Sequence, residues 1–446
     1  MNRIALKLVD TGLQFLSPRG GLSRPSPGLA LVDGQELAVG LEAESRARLN
    51  PRRLHSRFWQ DLGTTSLGRP FPGYLRTADL AHAHLNSVWA ADGRDADEVF
   101  VAVPGVYSDD QLALLLGIAG QLSIPVRGLI DAAVAAAADR ELGPHVLHLD
   151  LHLHRAVLTE LEHGDEIVRR SVRTEPRIGL LALRDIWARI IAQAFVRATR
   201  FDPLHNAGTE QVLYAQLSDH LDVLAEKETT KLRIASGGRQ HTVEMDRDRI
   251  VASAVTSYDT LAALVRNHER PEDTTLLLSH RAAALPGLVE HLDQHTDLTV
   301  TVLHHAASAS GALAHADRIR SPGPALTLIT RLPGLDARPP GPVTIPVSPP
   351  ADGGRHLPTH LVVNGVAHRI EPEPLVLGPS GIEEVDSDLP RVSVRWLAEQ
   401  AVLDVPPETE VAVNGDQVKS RTALAPGDRL RIGGADSDVL VVTMAG

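Results

Sequence analysis

Residues Val99 to Ala138 read VFVAVPGVYSDDQLALLLGIAGQLSIPVRGLIDAAVAAAA. The opening VFVAVPG is a β-branched apolar run, the pattern of a buried strand rather than of one with a wet face. The segment SDDQLALLLGIAGQL after it predicts a helix, with Ser108 and Asp109 as N-capping residues. Outward from this unit the same alternation continues. His145 to Leu161, HVLHLDLHLHRAVLTEL, has a period of two over a length too great for one ordinary strand, which predicts a hairpin or a bend. Ile178 to Arg200 predicts a long amphipathic helix, Thr274 to His280 a buried strand, and His304 to Ile319 a small-residue helix able to pack closely. Ser17 to Gly28, rich in Gly, Pro and Ser, reads as an exposed loop. Strands alternating with helices predict an α/β body.

The stretch Arg331 to Pro358, RLPGLDARPPGPVTIPVSPPADGGRHLP, is too rich in Pro and Gly for helix or interior strand and reads as a linker between a body, residues 1–330, and a small domain, residues 359–446. In the small domain short apolar runs alternate with turn signals, and the pairs Asn364-Gly365 and Asn414-Gly415 sit between such runs as hairpin turns do. An all-β sandwich is expected there.

Composition narrows the function classes. The 446 residues carry 44 Lys and Arg against 56 Asp and Glu, a net charge of -12, and no cysteine. That excludes zinc-thiolate and iron–sulfur centres, disulfide staples and cysteine nucleophiles, and suits a reducing compartment. Net acidity and 3% aromatic content argue against a partner nucleic acid. No apolar run approaches the ~18 residues of a membrane span, and the N-terminus lacks a leader pattern, so a cytoplasmic location is expected. Only Lys7, Lys227, Lys231 and Lys419 are lysines.

The order of these segments resembles the nucleotide-binding domain of the heat-shock seventy chaperones, within the actin and sugar-kinase superfamily. Pro25 to Pro51 is similar to that family's early hairpin and helix, Val99 to Ala138 to its Val-Pro-Ala-Tyr strand and the segments after it, and His145 to Leu161 to its Asp-Leu-Gly-Gly-Gly-Thr strand pair. The helix containing Gly311 is similar to its late Gly-Ala-Ala helix. The resemblance implies a two-lobed actin-like ATPase fold over roughly residues 1 to 320, with ATP or ADP and magnesium held by Asp10, Gly12, Asp150, Gly179 and Glu226. The phosphate-binding residues depart from the pattern. The first turn is Asp10-Thr11-Gly12-Leu13-Gln14, without the family's threonine pair, and the second replaces three glycines and a threonine by His152, Leu153, His154 and Arg155. Ala132 and Ala133 stand for its Glu and Pro, Leu180 to Ala182 for part of its Gly-Gly-Glu-Asp, Thr229, Thr230 and Arg233 for its adenosine clamp, and Leu278 to Ala282 for its adenosine turn. No lysine lies between Lys7 and Lys227, the interval in which the family's catalytic lysine belongs. A literal Asp-Leu-Gly-Thr-Thr at Asp61 to Thr65 follows RFWQ rather than a buried strand and reads as a surface loop.

Residues 359–446 resemble a forkhead-associated domain through Pro374 to Ser380, Val392 to Trp396, Asn414-Gly415 and Leu424 to Gly434. That resemblance implies phosphothreonine recognition through Ser393, Asn414 and an arginine, Arg391 or Arg395. The usual Arg place holds Pro379 and the usual His place Trp396, so a phosphothreonine peptide is a doubtful ligand.

Two function classes follow. The favoured one is a non-catalytic heat-shock seventy-like scaffold or adaptor whose protein partners include a genuine chaperone of that family or an actin-like protein, with the β-sandwich as a second binding module and no cofactor. The other is an enzyme, either a residual ATPase or a metal-dependent hydrolase. For the latter, His148, Asp150, His152 and His154 share one strand face, a ligand set for Zn²⁺ in residue type, with His304 and His305 as further ligands. Neighbours two apart on a strand are ~7 Å apart, so at most two or three reach one ion. The pair His280-Arg281 is either a solvated loop or an anion grip.

Overall fold

The computed structural model describes residues 2–18, 21–34, 36–72, 75–268, 274–323 and 325–334, and then 360–363, 366–370, 374–378, 381–382, 392–397, 400–406, 409, 411–413, 416–418, 420–424, 429–432 and 438–442. It divides into two compact units, Met1–Pro342 and Val343–Gly446.

The first unit contains two six-stranded mixed sheets that share a five-strand connectivity and carry the sixth strand on opposite edges, Leu328–Ile329 on the parallel edge of one and Arg331–Pro333 on the antiparallel edge of the other. In one, the strands Leu328–Ile329, Val126–Asp131, Glu98–Val103, Arg3–Lys7, Gln14–Ser17 and Gly21–Leu22 lie side by side in that order. In the other the order is Thr299–Val302, Thr274–Leu278, His145–Leu151, Ala156–His163, Glu166–Glu175 and Arg331–Pro333. Each sheet has a leading strand, Arg3–Lys7 or His145–Leu151. It pairs antiparallel with the strand that follows it in the chain and parallel with a strand much later. The long alternating segment is thus a hairpin, Ala156 facing Leu151 across a turn at residues 152–155. The parallel strand Glu98–Val103 is buried along its whole length, as its apolar run requires. Arg331–Pro333, the first residues of the expected linker, instead pair as an edge strand with Glu166–Val168; an edge tolerates the proline that an interior strand does not. Residues 335–358 of that linker lie outside the described residues.

Each sheet has its own helix-covered core. Asp109–Gln121 begins at Ser108, which caps it by a reciprocal capping box with Gln111. In the second sheet Leu180–Thr199 buries Leu183, Trp187, Ile191 and Phe195, one stripe at helical spacing, and stops where Arg200 turns left-handed at φ 60°. A third cluster joins the sheets. Ala5, Phe100 and Ala102 of the first and Val146, Leu161 and Leu277 of the second close on the helices Ala132–Ala137 and Ala307–Ala314. These cross so closely that a Cβ on Gly311 would stand 1.9 Å from the carbonyl oxygen of Ala135. Small residues are therefore a packing requirement at this seam. The expected helix His304 to Ile319 is two helices, Ala307–Ala314 and Ala316–Ile319.

The second unit has a six-stranded and a five-stranded antiparallel sheet among the described residues. Leu361 and Leu430 of one share a core with Val394 and Leu403 of the other, so this unit is a β-sandwich.

Candidate functional site

Each leading strand is tied to an acid: Arg3–Lys7 is followed by Asp10 in its turn, and His145–Leu151 carries Asp150 just before its own. The turns meet. The Asp10 carboxylate accepts the Leu153 N–H at 2.9 Å, and His152 Nδ1 lies 3.6 Å from the same oxygen. Asp10 is buried, and its carbonyl accepts the Gly28 N–H at 2.6 Å, while Gly12 closes its own turn onto the Val9 carbonyl at 2.9 Å. On the far side of the second turn the first amides of the helix Leu180–Thr199 are also spent. Leu180 N–H donates to the His152 carbonyl and Leu181 N–H to the Leu153 carbonyl, at 2.9 and 3.1 Å. Gly179 holds this contact: a Cβ there would lie 2.4 to 2.5 Å from His154 backbone atoms. The Gly12, Leu153, Leu180 and Leu181 N–H donors are thus all bonded within the protein. The turn's side chains leave in different directions. Leu153 is buried against Leu29, Leu31 and Ala43, and His154 Nε2 meets the Ser56 hydroxyl at 2.9 Å.

Beside this junction lies a small cleft, partly open to solvent, lined by Lys7, His148, Asp150, His152, Arg281 and His304 among others. Lys7 Nζ donates to the His305 carbonyl at 2.7 Å. Its burial, and next the positive Arg281, push its pKa down to about 8, against the pull of Asp150. Asp150 is driven the other way. Burial raises its pKa, but Arg281, His152, His148 and the Ser279 hydroxyl together hold it below the usual carboxylate range. Ser279 also caps the short helix His280–Ala283, accepting from Ala282 N–H, so His280-Arg281 stands on a helix at the cleft rather than in a solvated loop. Arg281 Nε and Arg155 Nε are buried without a hydrogen-bond partner. His148, His152, His280 and His304 are all held below the ordinary imidazole value, burial being the main cause in each. The fixed charges of the cleft are therefore Lys7, Arg281 and Asp150.

Of the residues singled out in the sequence, Asp10 and Gly179 contact the second turn, whereas Gly12 closes the first and packs against Pro25. Asp150, His148 and His152 line the cleft, whereas His154 turns away to Ser56. The four do not converge on one point. Among the described residues the one His and acid set whose ligand atoms lie within 4.8 Å of one another is Asp259, His291 and His295. Glu226 is exposed at the end of the helix Ala207–Glu226. Asp61 to Thr65 is a loop whose Asp61 and Gly63 carbonyls accept from the Thr77 hydroxyl, a structural use of that motif. Lys7 is the cleft residue that its place in the sequence does not announce. Its one signal is a lysine in the otherwise apolar run Ile4 to Val9, three residues before Asp10.

A Ser26, His84 and Trp59 chain offers no nucleophile. Trp59 Nε1–H donates to His84 Nδ1 at 2.9 Å, so the other ring nitrogen, 2.8 Å from Ser26 Oγ, carries the proton and cannot accept one.

In the β-sandwich, Arg395 is committed to Asp404 at 3.0 Å, and Asp404 also bonds Arg421. Ser393 starts the same strand, Ser393–Leu397. Asn414, with Pro379 and Arg391, lies outside the described residues. Among the described residues no helix is long and apolar enough to cross a membrane.

No family model matches this chain, and no curated protein matches it.

Proposed function

We propose that the first unit is a heat-shock seventy-like fold that no longer performs phosphoryl transfer and serves as a protein-binding scaffold or adaptor, with the forkhead-associated-like sandwich as its second binding module. The repeated connectivity of the two sheets, with small-residue helices between them, supports the two-lobed reading. The observation that carries the loss of catalysis is the bond from Leu153 N–H to the Asp10 carboxylate. A strand-end acid that would organise magnesium is occupied by the turn that would hold phosphate. The helix amides at Leu180 and Leu181 are occupied as well. Calorimetric titration with ATP and magnesium, and a turnover assay, test this reading. No turnover is expected; turnover abolished by Asp150→Ala would overturn it. For the adaptor role, crosslinking and co-purification from native cells is expected to yield a stoichiometric protein partner.

One observation favours a second reading, binding without turnover. Lys7 and Arg281 place two cationic groups at a cleft beside a single acid, and the Arg281 Nε has no partner. A small anion, phosphate or carboxylate, suits that arrangement. Binding of phosphate or nucleotide without hydrolysis, lost in Lys7→Met, would decide for it.

A further inference from the structure

We propose that Asp259, His291 and His295 form a zinc site on the outer face of the second sheet's helical layer, independent of the cleft. His291 and His295 are four residues apart on the helix Leu288–His295 and so share a face. Asp259 comes from the helix Arg247–Arg266 packed beside it. The ligand atoms of the three lie within 4.8 Å of one another.

Three features argue for a metal rather than for a chance grouping. First, His291 is buried, and its Nε2 faces Asp259 Oδ1 at 3.0 Å, so two of the three ligand atoms already meet. Bonds of about 2.0 to 2.2 Å to a tetrahedral zinc put neighbouring ligand atoms about 3.4 Å apart, close to this separation. Second, His295 Nδ1–H donates to the His291 carbonyl at 2.8 Å. That fixes the tautomer with a lone pair on Nε2, the arrangement outer hydrogen bonds impose on metal-ligating histidines. Third, the scaffold is braced. Tyr258 donates to the Pro286 carbonyl at 2.9 Å, Arg266 to the His295 carbonyl at 2.8 Å, and Arg247 pairs with Glu290.

The rings of His291 and His295 are stacked, with centroids 4.0 Å apart. Binding requires the exposed His295 ring to turn out of the stack so that its Nε2 lone pair and that of His291 converge. Two histidines and one carboxylate leave a fourth position for water. The ion would tie the two helices together, stabilising the folded chain through its preference for that state.

The test is calorimetric titration of the untagged, chelator-dialysed full chain with zinc, alongside thermal unfolding. One zinc per chain is expected, with a raised melting temperature and a Co²⁺ derivative showing four-coordinate absorption. His295→Ala and Asp259→Asn, both at exposed positions, should each weaken binding roughly tenfold or more. His148→Gln should leave it unchanged. Failure of wild type to bind one zinc at ~100 μM, or binding that survives in both exposed variants, overturns the proposal, as does loss in His148→Gln, which would move the metal to the cleft.

Discussion

Two acids belong to the leading hairpins of two sheets that share a five-strand connectivity, Asp10 in the turn of one and Asp150 in the strand of the other, and they have opposite fates. Asp10 is an internal fastener: its carboxylate accepts the Leu153 amide, which ties its turn to the turn of the other sheet's leading hairpin. Asp150 is kept electrically loaded. Its environment of Arg281, two histidines and the Ser279 hydroxyl holds it ionised at the edge of the cleft. The acid of the leading hairpin thus carries structure in one sheet and retained electrostatics in the other. If the cleft had simply filled in, both acids would be expected to be spent.

The widest test of that contrast breaks the seam that brings the two strand ends together. Gly311→Val forces a Cβ onto the Ala135 carbonyl, backbone that has no rotamer to yield. A loss of about 4 kcal/mol or more is expected, read by chemical denaturation. Stability close to wild type would show that the two sheets are not held by this crossing.

Asp10→Ala removes the fastener and orphans the Leu153 amide, for an expected loss of about 2 to 3 kcal/mol, charge-assisted hydrogen bonds falling in that range. If Asp10 instead serves a bound ligand, its removal leaves stability almost unchanged.

Lys7→Met should act with the opposite sign. Lys7 titrates at about 8 in the folded chain, against 10.5 for an unperturbed lysine, so the unfolded chain binds the extra proton between those values and stability rises with pH across that window. Below about pH 8 the full penalty applies. Replacing the buried amine by an isosteric apolar chain removes it, less the bond to the His305 carbonyl. A gain of about 2 kcal/mol at pH 7 is expected, and the variant should lose the rise in stability that wild type shows across that window. A destabilised variant would mean that the cleft is organised around the charge.

These expectations also measure how much was legible beforehand. The hairpin at His145 to Leu161, the Ser108 cap and the small-residue helix around Gly311 follow from local rules, period, capping and close packing, and all are visible in consecutive residues. The mutual occupation of the two turns is not: Asp10 and Leu153 are 143 residues apart, and no local pattern marks which amide a carboxylate will meet. The lysine count illustrates the same limit. The interval from Lys7 to Lys227 does lack a lysine, but Lys7 itself reaches the cleft from the leading strand. Counting along the chain locates a residue in an interval, whereas chemistry depends on which strand face meets which cavity. For the same reason the histidine strand looks like one ligand set in the sequence, although the turn after Leu151 sends His154 to Ser56.

The most specific probe of the contrast is not read as stability alone. Asp150→Asn keeps shape and one hydrogen-bonding oxygen but leaves Lys7 and Arg281 without their acid, so it should destabilise the folded chain at pH 7. Its signature is electrostatic. Asp150 is the charge that supports protonation of Lys7 against burial and Arg281, so neutralising it should drive the Lys7 pKa further below its ordinary value. Amine labelling of Lys7 across the pH range reads this directly, and reactivity should rise at lower pH than in wild type. The matching change at the other acid, Asp10→Asn, should leave the Lys7 profile in place, since Asp10 is not among the charges acting on that amine. Equal displacement by both variants would mean that the two acids share one field, and the division between a fastening strand end and a charged one would fall.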